Sequence, residues 1–157
     1  MKYTIREMTA QEYPLLNDFL YEAIFVPEGV EPPSKSIITV PELQIYVKDF
    51  ETSKDDFPLV AEVENKIIGA VWVRIMNDYG HIDDKTPSLA TSLYKKYRGQ
   101  GIGSSLIKEM LSLLQAHGYK RVSLSVQKAN YAAKLYQKIG FRIIKEIGDE
   151  WIMTYNL

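Results

Sequence analysis

Three glycines at alternate positions, Gly99, Gly101 and Gly103, lie between an apolar segment and a long amphipathic run. Glycine adopts positive φ angles without strain, and it lets the backbone approach a ligand closely because no Cβ is in the way. Where such a turn begins a helix, its N–H groups point outward together at the positive end of the helix dipole, which favours a bound phosphate or pyrophosphate. Residues 98–104, called the glycine turn below, are therefore either an anion-binding site or a turn that needs glycine for its shape alone.

The glycine turn does not match the two common nucleotide-binding loops. A dinucleotide fingerprint needs its last glycine three positions after the second, where this chain has Ser104. A phosphate loop needs Gly-Lys-Ser or Gly-Lys-Thr, which the turn lacks. The turn also follows several predicted strands, whereas those loops follow the first strand of their folds. An anion bound here would belong to another kind of ligand.

Composition excludes several classes of function. A net charge of −1 argues against nucleic-acid binding, which usually needs a basic surface. The chain has no cysteine, which excludes disulfides, a catalytic thiolate and cysteine-ligated zinc, and we expect no metal. No apolar run approaches the roughly 18 to 20 residues of a membrane span, and the charged N-terminus is unlike a signal sequence. We therefore expect a cytoplasmic protein with neither a membrane nor a nucleic-acid partner, folded as one domain over residues 1–157.

The elements that position the glycine turn follow from periodicity and from chain breakers. Thr9 and Glu12 form a capping-box pair that predicts a helix start, and Asn130 is a suitable N-cap for a later helix. Gly69 within a strand indicates a bulge or a close backbone neighbour. The predicted strands cover residues 3–8, 59–63, 67–75, 88–94, 122–126, 141–147 and 151–155. The predicted helices cover residues 9–25, 41–50, 102–117 and 131–139, with a proline-rich loop at 26–40.

Two motifs together resemble the GNAT family of N-acetyltransferases. The glycine turn, which begins Arg-Gly-Gln-Gly-Ile-Gly, is similar to that family's Arg/Gln-x-x-Gly-x-Gly/Ala motif. The family's second signature is matched by five residues further along the chain, Asn130, Ala133, Tyr136, Gly140 and Phe141. The N-terminal half resembles the family in layout rather than in motif, and Lys95 stands where the family usually has proline.

The resemblance implies a fold and a reaction. The fold is an α/β (α+β) acyl-CoA N-acyltransferase fold, a mixed, mostly antiparallel central sheet of about seven strands with helices on both faces. The sheet should splay open at the strand that holds the cofactor. The reaction is transfer of an acetyl group from acetyl-CoA to a primary amine by direct attack on the thioester.

The resemblance also assigns residues to the cofactor. Backbone N–H groups of residues 98–104 would hold the CoA pyrophosphate, and the end of the preceding strand would pair with the pantetheine arm. The residues expected to bind the cofactor are Leu93, Tyr94, Lys95, Arg98, Gly99, Gln100, Gly101, Ile102, Gly103, Ser104, Asn130, Ala133 and Tyr136. The backbone N–H of Leu93 would polarise the thioester carbonyl.

Tyr136 corresponds to the family's general acid. A phenol with a pKa near 10 is protonated at neutral pH and can donate to a departing thiolate. The alternative is a core tyrosine whose hydroxyl is satisfied by the protein. Asn130 could bind the CoA arm, act as a helix N-cap or do both, and Ala133 could give room to the cofactor or simply pack.

The base that deprotonates the amine is open. Asp83 or Asp84 lies just before the cofactor strand, and at most one of two adjacent side chains on an extended segment points inward. His81 is a further candidate. All three are also consistent with solvated loop residues, and deprotonation could instead proceed through water.

The acceptor is a small molecule or a peptide amine, and its site should involve the loop at 26–40 and the segment around Tyr79. Glu28 and Glu31 could attract a cationic amine, although solvated loop charges explain them too. Tyr21 and Trp72 could line the pocket or pack in the core. A non-catalytic acyl-CoA sensor or an interaction domain of the same fold remains the alternative function. A homodimer is possible.

Overall fold

The computed structural model describes residues 2–157. In this part of the chain the strands are β1 (Thr4–Glu7), β2 (Phe57–Val63), β3 (Lys66–Arg74), β4 (Ser88–Leu93), β5 (Arg121–Gln127), β6 (Arg142–Ile147) and β7 (Glu150–Asn156). The α-helices are α1 (Leu16–Glu22), α2 (Pro41–Gln44), α3 (Ile102–Ala116) and α4 (Ala132–Ile139). Short 3-10 helices cover Ala10–Leu15, Lys35–Thr39 and Lys95–Tyr97.

The strands form one seven-stranded sheet in the order β1-β2-β3-β4-β5-β7-β6. All neighbouring strands are antiparallel except β4 and β5, which are parallel. These two strands pair at Ser88 and Ser123 and then diverge, so the sheet opens toward the end of β4. The prediction of a mixed, mostly antiparallel sheet that is splayed at this strand is confirmed.

Helices cover both faces of the sheet around two apolar cores. Val71 and Val73 of β3 belong to the core under α3, whereas Ala70 and Trp72 belong to the core under α1, because successive side chains of a strand alternate between faces. Trp72 is fully buried, and its indole Nε1 donates to the carbonyl oxygen of Tyr46 at 3.0 Å. Trp72 is therefore a core residue and not part of a pocket wall.

The first α-helix begins at a later residue and ends at an earlier residue than predicted. The Glu12 carboxylate accepts a hydrogen bond from the N–H of Thr9 at 2.9 Å, as the capping box requires. The chain then follows a 3-10 helix to Leu15, with Pro14 inside it, before α1 begins. α1 ends at Glu22 instead of residue 25. Its end leaves the following residues free to run along the edge of the opening in the sheet.

The predicted helix at 41–50 is wrong beyond its first turn. α2 ends at Gln44, and a buried guanidinium explains why. Nη1 of Arg74 donates hydrogen bonds to the carbonyl oxygens of Ile45 at 3.1 Å and Lys48 at 2.7 Å. These carbonyl oxygens therefore do not accept the hydrogen bonds of a continuing α-helix. Nη2 of Arg74 also pairs with the buried carboxylate of Asp56 at 3.0 Å. No helix in the described residues is both long enough and apolar enough to cross a membrane.

Candidate active site

The glycine turn has the backbone conformation that its glycines predict. Gly99 has φ +77° and Gly101 has φ +86°, a left-handed region that favours glycine, and Gly101 is the N-cap of α3. A Cβ added at either position would meet nothing within 4 Å. The glycines are therefore needed for the backbone conformation, and the space in front of them is open to a ligand.

The glycine turn leaves a row of backbone donors free. Within residues 2–157, the N–H groups of residues 99–104 have no backbone acceptor, and those of the last three belong to the first turn of α3. The N–H of Arg98 donates instead to the carbonyl oxygen of Lys95 at 3.2 Å. The expectation that the row begins at Arg98 is corrected accordingly, because this N–H closes the preceding 3-10 turn.

The side chain of Arg98 is held by acceptors of the protein at the ends of β4 and α1. Its Nε donates to the carbonyl oxygen of Leu93 at 3.0 Å, and its Nη2 donates to the carbonyl oxygen of Glu22 at 3.1 Å. Nη2 also lies 3.3 Å from the carboxylate of Glu22. Arg98 therefore connects the glycine turn to the end of β4 and to the end of α1.

The end of β4 directs one peptide group into the opening of the sheet. The N–H of Tyr94 donates to the carbonyl oxygen of Ile68 on β3 at 3.0 Å. Because the N–H groups of successive residues along a strand point to opposite sides, the N–H of Leu93 points away from β3 and toward the gap before β5. A bulge in the β2–β3 pairing lies beside Gly69, where an added Cβ would overlap the side chain of Leu93. The bulge predicted for Gly69 is present, and the close backbone neighbour is the carbonyl oxygen of Ser92, 3.1 Å from an added Cβ.

Helix α4 supplies the other wall of the opening. Oδ1 of Asn130 accepts from the N–H of Ala132 at 2.9 Å, so Asn130 caps the turn before the helix. Ala133 is 3% exposed and packs in the core beneath α3, which favours the packing interpretation. Tyr136 lines the opening, and no hydrogen bond from residues 2–157 reaches its hydroxyl. Burial raises the pKa of Tyr136 to about 12, which keeps its proton in place at neutral pH.

These parts line one cleft of about 1160 Å³. The cofactor residues expected from the sequence that line it are Leu93, Lys95, Arg98, Gly99, Gly101, Gly103, Ser104, Asn130 and Tyr136. Tyr94 does not line it, because its ring packs on Phe19 with 4.9 Å between centroids. Ile102 is a core residue, and the Gln100 amide donates to the carbonyl oxygen of Lys96 at 3.2 Å. Any cofactor contact by these three residues would have to be through the backbone.

The structure does not bring the candidate bases to this cleft. Asp83 pairs with Arg121 at 2.8 Å, and this hydrogen bond holds the pKa of Asp83 at about 2. The side chain of Asp84 is 97% exposed and lies 3.7 Å from Nε2 of His81. All three residues lie outside the cleft lining, in the irregular segment between β3 and β4 and not in a strand.

The acidic acceptor residues predicted from the sequence are also outside the cleft lining. Glu28 and Glu31 are exposed on the loop at 26–40. Tyr79 is 64% exposed and borders a separate hollow of about 410 Å³ beside β6. Tyr21, by contrast, does line the cleft, and its hydroxyl donates to the carbonyl oxygen of Pro33 at 2.5 Å.

The predicted acceptor loop at 26–40 supplies part of the cleft lining, whereas sequence reasoning missed Glu22 and residues 23–25. Glu22 is the only carboxylate among residues 2–157 that lines the cleft. Its position within a helical pattern looks like that of an ordinary surface residue, and its partner Arg98 is 76 positions away. Glu22 is identified as a cleft residue because α1 ends beside the opening in the sheet, and this placement is seen only in the tertiary structure. The described residues contain no group of three or more acidic, histidine or cysteine side chains that could hold a metal ion.

A splayed mixed sheet with a helix N-terminus and a free strand end at the splay defines the class of acyl-CoA N-acyltransferase folds. The comparison with protein families then places the chain within that class. The profile of the Acetyltransferase (GNAT) family matches residues 20–141, and the chain belongs to this family.

The chain is also similar to individual proteins of known name or structure. Human N-acetyltransferase 8B is 31% identical over 84 residues, which cover 53% of this chain and 37% of that protein. The structure of a GNAT-family acetyltransferase from Streptococcus pneumoniae superposes with a TM-score of 0.72 at 26% identity, covering 99% of this chain and 100% of the other. The PaiA N-acetyltransferase of Thermoplasma acidophilum, solved in complex with coenzyme A, gives 0.74 at 21% identity with full coverage of both chains. This last likeness concerns the fold alone.

Proposed function

We propose that this protein transfers an acetyl group from acetyl-CoA to a primary amine. The observation that carries the proposal is that the free N–H groups of the glycine turn, the N–H of Leu93 and the hydroxyl of Tyr136 lie along one cleft at the splay of the sheet. Family membership supports the same reaction. The acceptor amine is a small molecule or a peptide.

The free donors of residues 99–104 fit a pyrophosphate, because they lie at the positive end of the α3 dipole with open space in front of them. The end of β4 fits an extended amide-bearing arm, because β5 has diverged and leaves that edge unpaired. Acetyl-CoA supplies the acyl group as an activated thioester.

The chain's own groups act at two atoms of the reaction. Leu93 donates its N–H to the thioester carbonyl oxygen, where negative charge develops as the amine attacks. A C–N bond forms and the C–S bond breaks. Tyr136 donates its proton to the leaving sulfur and is reprotonated from solvent. Its raised pKa keeps the phenol protonated at neutral pH and makes it a weaker acid toward the departing sulfur.

The proton of the acceptor ammonium leaves through water. Asp83, Asp84 and His81 lie outside the cleft, and the one carboxylate within it, Glu22, is paired with Arg98. The ammonium gives one proton to water before attack, and the nitrogen gives a second proton to water as the C–N bond forms.

The test is thiol release from acetyl-CoA with a panel of amines, beside calorimetric titration of CoA into the protein. Amine-dependent thiol release with mass-spectrometric detection of the acetylated amine is expected. Tight CoA binding without release for any amine would favour the sensor alternative, and the absence of CoA binding would favour an interaction domain.

A further inference from the structure

We propose that the acceptor is a monoamine with an apolar carbon body, an aryl- or alkylamine, in preference to a polyamine or an aminosugar. This inference rests on the acetyl transfer proposed above. It comes from the lining of the cleft on the side away from the glycine turn.

The cleft is bordered from both faces of the sheet. The glycine turn leads into α3, and Ile102 and Leu106 of α3 pack in the core on one face. Phe19 and Leu20 of α1 pack in the core on the opposite face. Since α1 and the residues after it also line the cleft, the cleft passes through the splay of the sheet. A thioester held on the α3 side is therefore approached by its acceptor from the α1 side.

The α1 side of the cleft is an apolar wall. Its members are Tyr21, Ile24, Phe25, Val26, Val30 and Pro33. The one hydroxyl among them, that of Tyr21, already donates to the carbonyl oxygen of Pro33, which leaves the ring as the contact surface and ties the loop to α1. Val30 is 55% exposed, an unfavourable state for a large apolar side chain that an apolar ligand would relieve.

The charges of the cleft disfavour a polycation. Only Glu22, Lys95 and Arg98 among its described lining residues are charged. The carboxylate of Glu22 lies 3.3 Å from Nη2 of Arg98, so it is already paired. Glu28 and Glu31, which would have served a polycation, lie outside the lining. A second or third ammonium group on the acceptor would find no unpaired carboxylate in this lining.

The experiment compares two amines on the protein saturated with CoA. Calorimetric titration measures binding of 2-phenylethylamine and of spermidine, and thiol release from acetyl-CoA measures turnover of each. We expect 2-phenylethylamine to bind at least tenfold more tightly and to have the higher kcat/KM. Equal or tighter binding of spermidine, or no saturable binding of 2-phenylethylamine, would overturn the inference. Binding of 2-phenylethylamine without turnover of any amine would overturn the acetyl transfer and uphold the apolar site.

Two variants locate the effect on the wall. Val30→Glu places a carboxylate in the wall at a half-exposed position that tolerates it, and it should shift the ratio of the two affinities toward spermidine at least threefold. Ile147→Glu adds the same charge on β6, where the side chain is 38% exposed and away from the cleft, and serves as the control. An equal shift in Val30→Glu and Ile147→Glu would overturn the inference.

Discussion

Nε of Arg98 donates a hydrogen bond to the carbonyl oxygen of Leu93 at 3.0 Å, so the glycine turn and the end of β4 are joined by one side chain. The same guanidinium reaches the carbonyl oxygen of Glu22 at the end of α1. Three of the segments that border the cleft therefore share a single connecting residue, and the position of the Leu93 peptide depends on it.

Replacing Arg98 should weaken CoA binding. Arg98→Met removes the hydrogen bonds to Leu93 and Glu22, and because the side chain is 44% exposed we expect a loss of about 1 kcal/mol, or about fivefold in affinity by calorimetry. Arg98→Gln keeps an amide donor for Leu93 and should stay within about twofold of the parent. Lys96→Met removes a positive charge two residues earlier, and an equal loss in that variant would mean that net charge alone is responsible.

Tyr136→Phe should lower turnover without comparable loss of CoA affinity. Removing a general acid typically costs about 100- to 10,000-fold in rate, whereas the phenyl ring keeps the packing of Tyr136 on Phe141. Steady-state kinetics and CoA titration on the same preparation check this. Tyr13→Phe, away from the cleft, is the matched control. A kcat within about twofold of the parent would remove Tyr136 from the reaction.

The alkaline pH profile should reflect the raised pKa of Tyr136. An unperturbed phenol is half ionised near pH 10, whereas burial raises the pKa of Tyr136 to about 12. Because the protonated form is the active one, kcat should rise as the acceptor loses its proton and should not fall again below about pH 11. Rates corrected for spontaneous thioester hydrolysis up to pH 10.5 would show this, and a descending limb centred near pH 10 would contradict it.

Gly101→Val and Gly118→Val separate backbone strain from ligand contact. Both glycines have φ +86° and open space around the Cβ position, so each substitution should cost about 1–2 kcal/mol of unfolding free energy. Only Gly101 borders the cleft, and we expect its substitution alone to weaken CoA binding, by about tenfold or more, because it alters donors that a charged ligand uses. Equal CoA affinity in the two variants would argue against the glycine turn as the pyrophosphate site.

Asp56→Ala should destabilise the fold strongly. It leaves the Arg74 guanidinium, whose side chain is 10% exposed, without its ionic partner, and breaking a buried pair in this way costs about 3–5 kcal/mol. Urea denaturation followed by circular dichroism measures the change. Asp49→Asn, on the surface of the same segment and at a positive φ that asparagine tolerates, should change stability by about 0.5 kcal/mol or less. A loss below about 1 kcal/mol in Asp56→Ala would show that the pair is not needed.

Local pattern predicted most of the strands and helices of this chain and failed where distant groups intervened. The apolar residues of 41–50 have helical spacing, but the Arg74 side chain on β3 donates hydrogen bonds to carbonyl oxygens of this segment. Asp83 looked available as a base, but Arg121, 38 positions later, holds it in an ion pair. Neither partner could be recognised from the sequence around the residue it binds.

The sequence by itself determined the glycine turn, the helix that follows it and the second signature around Tyr136. These features depend on glycine's backbone freedom and on the spacing of neighbouring residues, which are local properties. The divergence of β4 from β5, the pairing of Glu22 with Arg98 and the apolar wall were decided only by the tertiary structure. They arise where segments far apart in the chain meet, and the packing of the whole sheet sets which residues face one another there.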